Sequence, residues 1–84
     1  MPTVLRVGGF SFNFYADDHA PAHVHARNGD GVVVIDIATA TARGTKGNIR
    51  DRDIRRAKAL VAEHRDLLQA AWNDFDGRRS TDDR

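Results

Sequence analysis

Residues 23–37 read HVHARNGDGVVVIDI, and the folding of this stretch decides the architecture. Asn28-Gly29-Asp30-Gly31 is a cluster of turn residues between two short strand-like segments, a strong local signal for an antiparallel hairpin. Either Asn28-Gly29 or Gly29-Asp30 supplies the two central turn positions. Both registers put Val24 and Ala26 on one face with Val33, Ile35 and Ile37, and leave His23, His25 and Arg27 on the other with Val32, Val34 and Asp36. The apolar set is the core face, so the histidines are expected to point into solvent. With Gly29-Asp30 at the centre, His23 lies across from Asp36. With Asn28-Gly29 it faces Val34 and has Asp36 on the diagonal.

Working outward, Thr3 to Val7 reads as a strand, and Gly8-Gly9 is a second hairpin turn. Phe10, Phe12 and Phe14 alternate with Ser11, Asn13 and Tyr15, which lines three rings along the core side. Asp17 to Pro21 reads as a loop, since proline cannot donate to a ladder. From about Asn48 the period becomes helical: Ile54, Ala57, Val61, His64, Leu68, Ala71 and Phe75 recur every three or four residues, with Leu60, Leu67 and Trp72 widening the stripe. Asn48 is the expected cap, with Asp51 three residues on, and Gly77 the expected stop. One unbroken helix of that length would span about 40 Å, long for so small a sheet, so a helix pair broken near Lys58 to Ala62 is the alternative. The expected fold is α+β: a four-stranded antiparallel sheet of two hairpins, a basic loop, and a C-terminal helix or helix pair over the aromatic face. Residues 1–77 form one domain and 78–84 a flexible tail.

Composition narrows the class. The chain has 84 residues, no cysteine, 40% hydrophobic and 30% charged residues, and a net charge of +1. That excludes a disulfide framework and thiolate metal sites, and it describes an ordinary globular domain. So short a chain buries a modest core, which favours a second copy or a partner protein. MPTVLRVGGF is too short and too interrupted by glycine for a signal peptide, and no run is long enough to span a bilayer. The expected location is the cytoplasm, away from membranes. The charge is uneven, because Arg43, Lys46, Arg50, Arg52, Arg55, Arg56 and Lys58 are offset nearby only by Asp51 and Asp53. Cations in the first helical turns oppose the helix dipole, and local rules are often broken at functional surfaces. Arginine and nearby Gly44 and Gly47 suit phosphate, whereas a charge run is also a common solvated face.

The candidate chemistry lies just ahead of the central hairpin. His19, His23 and His25 fall within seven positions, and His23 and His25 share a strand face about 7 Å apart. Three imidazoles can bind a divalent transition metal with one position open, and Asp17, Asp18 or Asp36 can complete or orient the set. Without metal, His23 and His25 can serve as general acid and base, oriented by His19 or Asp36. The plainer reading is a set of polar side chains on a solvated sheet, with His19 and His23 hydrogen-bonded to hold the Pro21 loop; as solvent-facing groups, either imidazole is expected to change stability on removal by only about 0.5 kcal/mol. His64, in the apolar stripe of the helix, reads as a core or interface residue, and Trp72 with the phenylalanines as core.

Taken together, MPTVLRVGGFSFNFY, DHAPAHVH with the following GDG, and EHRDLLQAAWNDF resemble a small bacterial family catalogued as domain of unknown function 4160. The likeness runs from Met1 to about Phe75. The family signature usually has histidine, any residue, two prolines and His-Val-His; here Pro21, His23, Val24 and His25 match, and Ala22 replaces the second proline. The resemblance implies a toxin–antitoxin-like module with a small protein partner encoded nearby, and an RNA target. Three functions follow as expectations. The first is a protein acting on or binding RNA, including metal-independent cleavage by His23 and His25 with Arg43, Lys46, Arg50, Arg52, Arg55 and Arg56 holding phosphate and no cofactor. The second is a non-catalytic module for a cognate protein, with or without DNA. The third is a metal-binding protein using His19, His23 and His25.

Overall fold

The computed structural model describes residues 3–16 and 18–82, with side chains to residue 78. β1 (Thr3–Val7), β2 (Phe10–Asn13), β3 (His23–Arg27), β4 (Gly31–Asp36) and β5 (Thr41–Gly47) form one antiparallel meander in chain order. Two helices follow, α1 (Asp51–Glu63) and α2 (Arg65–Asp82). None of the described helices is long and apolar enough to cross a membrane.

Local chemistry explains the meander. Gly8 and Gly9 have φ of +59° and +82°, the pair of positive values that a tight two-residue hairpin needs. The central hairpin adopts the register with Gly29-Asp30 at its centre: His23 pairs with Asp36, His25 with Val34 and Arg27 with Val32. Asn28 secures the turn, its Oδ1 accepting from the Asp30 and Gly31 amides at 2.8 and 3.1 Å.

The sheet has five strands, not four. The segment expected as a basic loop is β5, paired with β4 along its length and bulged near Arg43. It has a neighbour on one side only and six of its seven residues are exposed, so it carries no apolar alternation to announce it. Small residues let it close on β4. A Cβ at Gly31 would sit 2.2 Å from the Lys46 carbonyl oxygen, and one at Gly47 (φ +84°) 2.7 Å from that of Asp30. Gly47 therefore serves the packing of backbone on backbone. Gly31→Ala should destabilise the protein by roughly 1–3 kcal/mol, the usual range for an added carbon that forces the backbone to move. Urea unfolding checks this, and an unchanged midpoint would contradict so close an approach of β4 and β5.

Both helices lie on one face of the sheet. Ala57, Leu60 and Val61 of α1 and Leu68 and Trp72 of α2 share a buried core with Phe10, Phe12, Phe14, Val24, Ala26, Val33, Ile35 and Ile37. The helix pair breaks at His64, two residues beyond the expected region, where the His64 ring Nδ1 donates to the Leu60 carbonyl at 2.9 Å and closes the end of α1. Arg65 Nε then donates to the Ile37 carbonyl at 3.0 Å and ties the start of α2 to the sheet. Three expectations are corrected. Arg50, without a side-chain bond, occupies the cap position instead of Asn48, whose amide donates to the Asp30 carbonyl. Leu67 is 47% exposed and not part of the core stripe. The helix passes through Gly77 to Asp82, because an exposed glycine only weakens a helix that nothing else interrupts. Of the tail expected over 78–84, residues 83 and 84 lie outside the described residues.

Candidate functional site

The hairpin parity places His23 and His25 on the face opposite Val24 and Ala26, yet the imidazoles are not in solvent. His23 is buried at 7% exposure, and the His25 side chain retains 13%. Three groups cover them. Asp18 folds back after the Tyr15 turn, its amide donating to the Tyr15 carbonyl at 3.0 Å and its Oδ2 accepting from the Tyr15 amide at 2.8 Å. Tyr15 stacks on His25 with centroids 3.7 Å apart and planes 11° from parallel. Trp72 reaches His23 from α2 at a centroid distance of 5.3 Å.

Asp18, His23 and His25 are thereby drawn into one cluster. His23 Nε2 lies 3.2 Å from Asp18 Oδ1, and His25 Nε2 lies 3.3 Å from each carboxylate oxygen. On the other side of the His23 ring, Nδ1 donates to the Pro21 carbonyl at 2.9 Å. Burial alone pushes the Asp18 carboxyl up, but the Tyr15 amide, the hydrogen bond from His25 and the charges of His25 and His23 outweigh it, so its pKa falls below the ordinary value. Two imidazole nitrogens and a carboxylate oxygen within 4.8 Å of one another also form a donor set of the kind that holds transition ions.

Because His23 is buried, hydrogen-bonded and packed on Trp72, the small stability change expected for a solvent-facing imidazole no longer applies. His23→Ala should cost about 1–3 kcal/mol, the range for removing a buried, hydrogen-bonded polar group. Thermal unfolding tests this, and a change within about 0.5 kcal/mol would return His23 to the surface.

The rest of the outer face is cationic and open. Cross-strand register runs Arg6–Ser11–Arg27–Val32–Lys46 across all five strands in a single row. Arg6, Arg27 and Lys46 are exposed, and the row holds no acid. Successive cations are two strands, or roughly 10 Å, apart. The next row is Asn13–His25–Val34–Gly44, with Tyr15 lying over His25. Between β3 and β5 an open groove of about 680 Å³ is lined by Tyr15, His25, Arg27, Val32, Val34 and Lys46 among others. Arg27 donates to the Tyr15 hydroxyl at 2.8 Å and steadies the ring.

The expected site residues separate on this scaffold. His23 and His25 meet, but His19 is exposed and does not join the cluster; Asp18, named only as a supporting carboxylate, is its third member. Asp17 lies outside the described residues. Asp36 is opposite His23 in the ladder, yet its carboxylate turns to Arg43, with Nε 2.5 Å from Oδ1. That close charge contact lacks hydrogen-bond alignment, which leaves Oδ1 a buried atom without a hydrogen bond. The six cations do not form one clamp. Arg43 and Lys46 belong to β5, whereas Arg50, Arg52, Arg55 and Arg56 sit at the start of α1, on the side of the sheet away from the groove. Arg56 Nε donates to the Gly8 carbonyl at 3.3 Å. Arg6, Arg27 and Tyr15 are site residues that the sequence does not single out, although its period-two parity puts Arg27 on the face of the histidines and Tyr15 on that of Ser11 and Asn13; only the cross-strand register brings them together.

A family model described as domain of unknown function (DUF4160) matches residues 9–73, and the chain belongs to that family. No curated protein and no solved structure matches it.

Proposed function

We propose that this member of the DUF4160 family binds single-stranded RNA across the outer face of its sheet. The observation that supports this best is the Arg6–Arg27–Lys46 row beside the Tyr15–His25 stack. Cations track a phosphate backbone, and an aromatic face accepts any base, so the two together suit an unpaired strand lying over a sheet. The groove floor of Val32, Val34, Gly31 and Gly44 is low, which leaves room for bases between β3 and β5. Binding is favoured over cleavage by the histidine pair, because both Nε2 atoms lie against Asp18 and His23 Nδ1 lies on the Pro21 carbonyl.

Fluorescence anisotropy with a labelled single-stranded RNA tests the reading. Three phosphate contacts imply a salt slope near −2, since each contributes about 0.7 on a single strand. Affinity should therefore fall about 20-fold between roughly 50 and 200 mM salt. No binding at low salt would remove the proposal.

A second reading concerns the other layer. Arg52 and Arg55 are exposed on α1, and one small ligand cannot touch them and the groove together. They suit an acidic protein partner of the toxin–antitoxin type, bound while RNA occupies the sheet. Arg52→Glu with Arg55→Glu should weaken capture of the protein encoded beside this one and leave RNA affinity within about twofold, since these side chains touch no phosphate in the proposed complex. Equal loss of both activities would merge the two surfaces.

A further inference from the structure

We propose that Asp18, His23 and His25 form a binding site for one divalent transition ion of the zinc class, a site that goes beyond the RNA reading and stands without it. The argument begins with the Pro21 carbonyl, which can only accept. The ring nitrogen 2.9 Å from it, His23 Nδ1, must therefore carry the proton. In a neutral ring Nε2 is then a bare lone pair, and it faces Asp18 Oδ1 at 3.2 Å. Asp18 offers no proton in return, for its Oδ2 already accepts the Tyr15 amide at 2.8 Å, an arrangement that favours the carboxylate. His25 Nε2 comes to the same carboxylate at 3.3 Å. The His23 Nε2 lone pair thus meets a carboxylate oxygen in a largely buried cluster, and a cation held between them, with His25 Nε2 beside the same carboxylate, resolves that conflict.

Three further features fit an ion. Ligand atoms about 2.0–2.2 Å from a zinc-like ion in tetrahedral or octahedral geometry lie roughly 3.0–3.5 Å apart; the two histidine-to-carboxylate separations are 3.2 and 3.3 Å, and all three ligand atoms lie within 4.8 Å of one another. A metal-bound histidine characteristically gives its other ring N–H to a carbonyl or carboxylate, as His23 does to Pro21. The ligands are also pre-positioned: His23 and His25 are two apart on β3, Trp72 packs against His23, and Tyr15 both lies on His25 and holds Asp18. Two imidazoles with one carboxylate select borderline transition ions over magnesium or calcium, which prefer all-oxygen shells.

Chelator-stripped full-length protein titrated with zinc chloride at neutral pH, followed by calorimetry, should take up one equivalent per chain, and excess magnesium should not displace it. Cobalt(II) substituted at the site should develop visible absorption that zinc abolishes. Asp18→Asn, which keeps the size of the side chain and an acceptor for Tyr15, and His25→Ala should each weaken zinc binding at least 100-fold while circular dichroism stays native. His19→Ala should bind as the wild type does. Zinc should raise the melting temperature of the wild type and leave that of Asp18→Asn unchanged. Failure of folded wild-type protein to take up stoichiometric zinc would overturn the site and assign the cluster to protonated imidazoles paired with Asp18. So would uptake that survives Asp18→Asn and His25→Ala, or that is lost with His19→Ala.

Discussion

Replacing Trp72 by alanine is expected to cost about 3–5 kcal/mol, the range for deleting a large core aromatic. For a domain of this size that approaches the whole of its stability. The indole is 4% exposed and sits where three groups meet. Its ring lies edge-on to Phe14 at 5.3 Å and tilted against Phe75 at 5.4 Å, and it also packs on His23. His23 is held to the Pro21 carbonyl and Phe14 to the end of β2, so neither moves readily into the void. Trp72→Phe should recover most of the loss, since it restores the ring contacts with little residual cavity. Urea unfolding at constant temperature measures both variants. A Trp72→Ala protein with an unchanged midpoint would show that α2 does not depend on this contact.

Arg27→Glu combined with Lys46→Glu should lower affinity for single-stranded RNA on the order of 100-fold near 150 mM salt, because two phosphate contacts become two repulsions. Replacing the same pair with alanine should instead reduce the salt slope from about −2 to about −0.7, leaving Arg6 as the remaining contact. Both side chains are exposed, so melting temperature should hardly move. Retained affinity in a folded charge-reversal variant would detach RNA from the sheet face. Tyr15→Ala offers a milder test, as one lost base stack is worth about 1–3 kcal/mol.

Much of this was legible in the residues. The NGDG turn and the alternation around it set the β3–β4 pairing, and the phenylalanine alternation set the core face. Strand β5 escaped because an edge strand paired on one side keeps no apolar rhythm; TARGTKG looks like a loop until its backbone meets β4. Strand parity puts the histidines on the outer face, where they lie, but the expectation that they face solvent is overturned by their burial. Parity along a strand says nothing of a loop that folds back over it, and here Tyr15 and Asp18 do so. His19 drew attention through its spacing, whereas Asp18, one residue earlier, is the group turned inward. The cation row was hidden for a different reason. Arg6, Arg27 and Lys46 are far apart in sequence and become neighbours only through the register of five strands. The local density of arginines at the helix start is the more conspicuous charge feature of the sequence.

The central claim, that RNA lies on the sheet face, is tested most directly by mapping amide chemical shifts of isotopically labelled protein during titration with a single-stranded RNA. Perturbations should concentrate at Arg6, Ser11, Tyr15, Arg27 and Lys46, with α1 between Asp51 and Glu63 largely unmoved. Shifts confined to Arg52, Arg55 and their neighbours on α1, with the sheet row silent, would contradict the account.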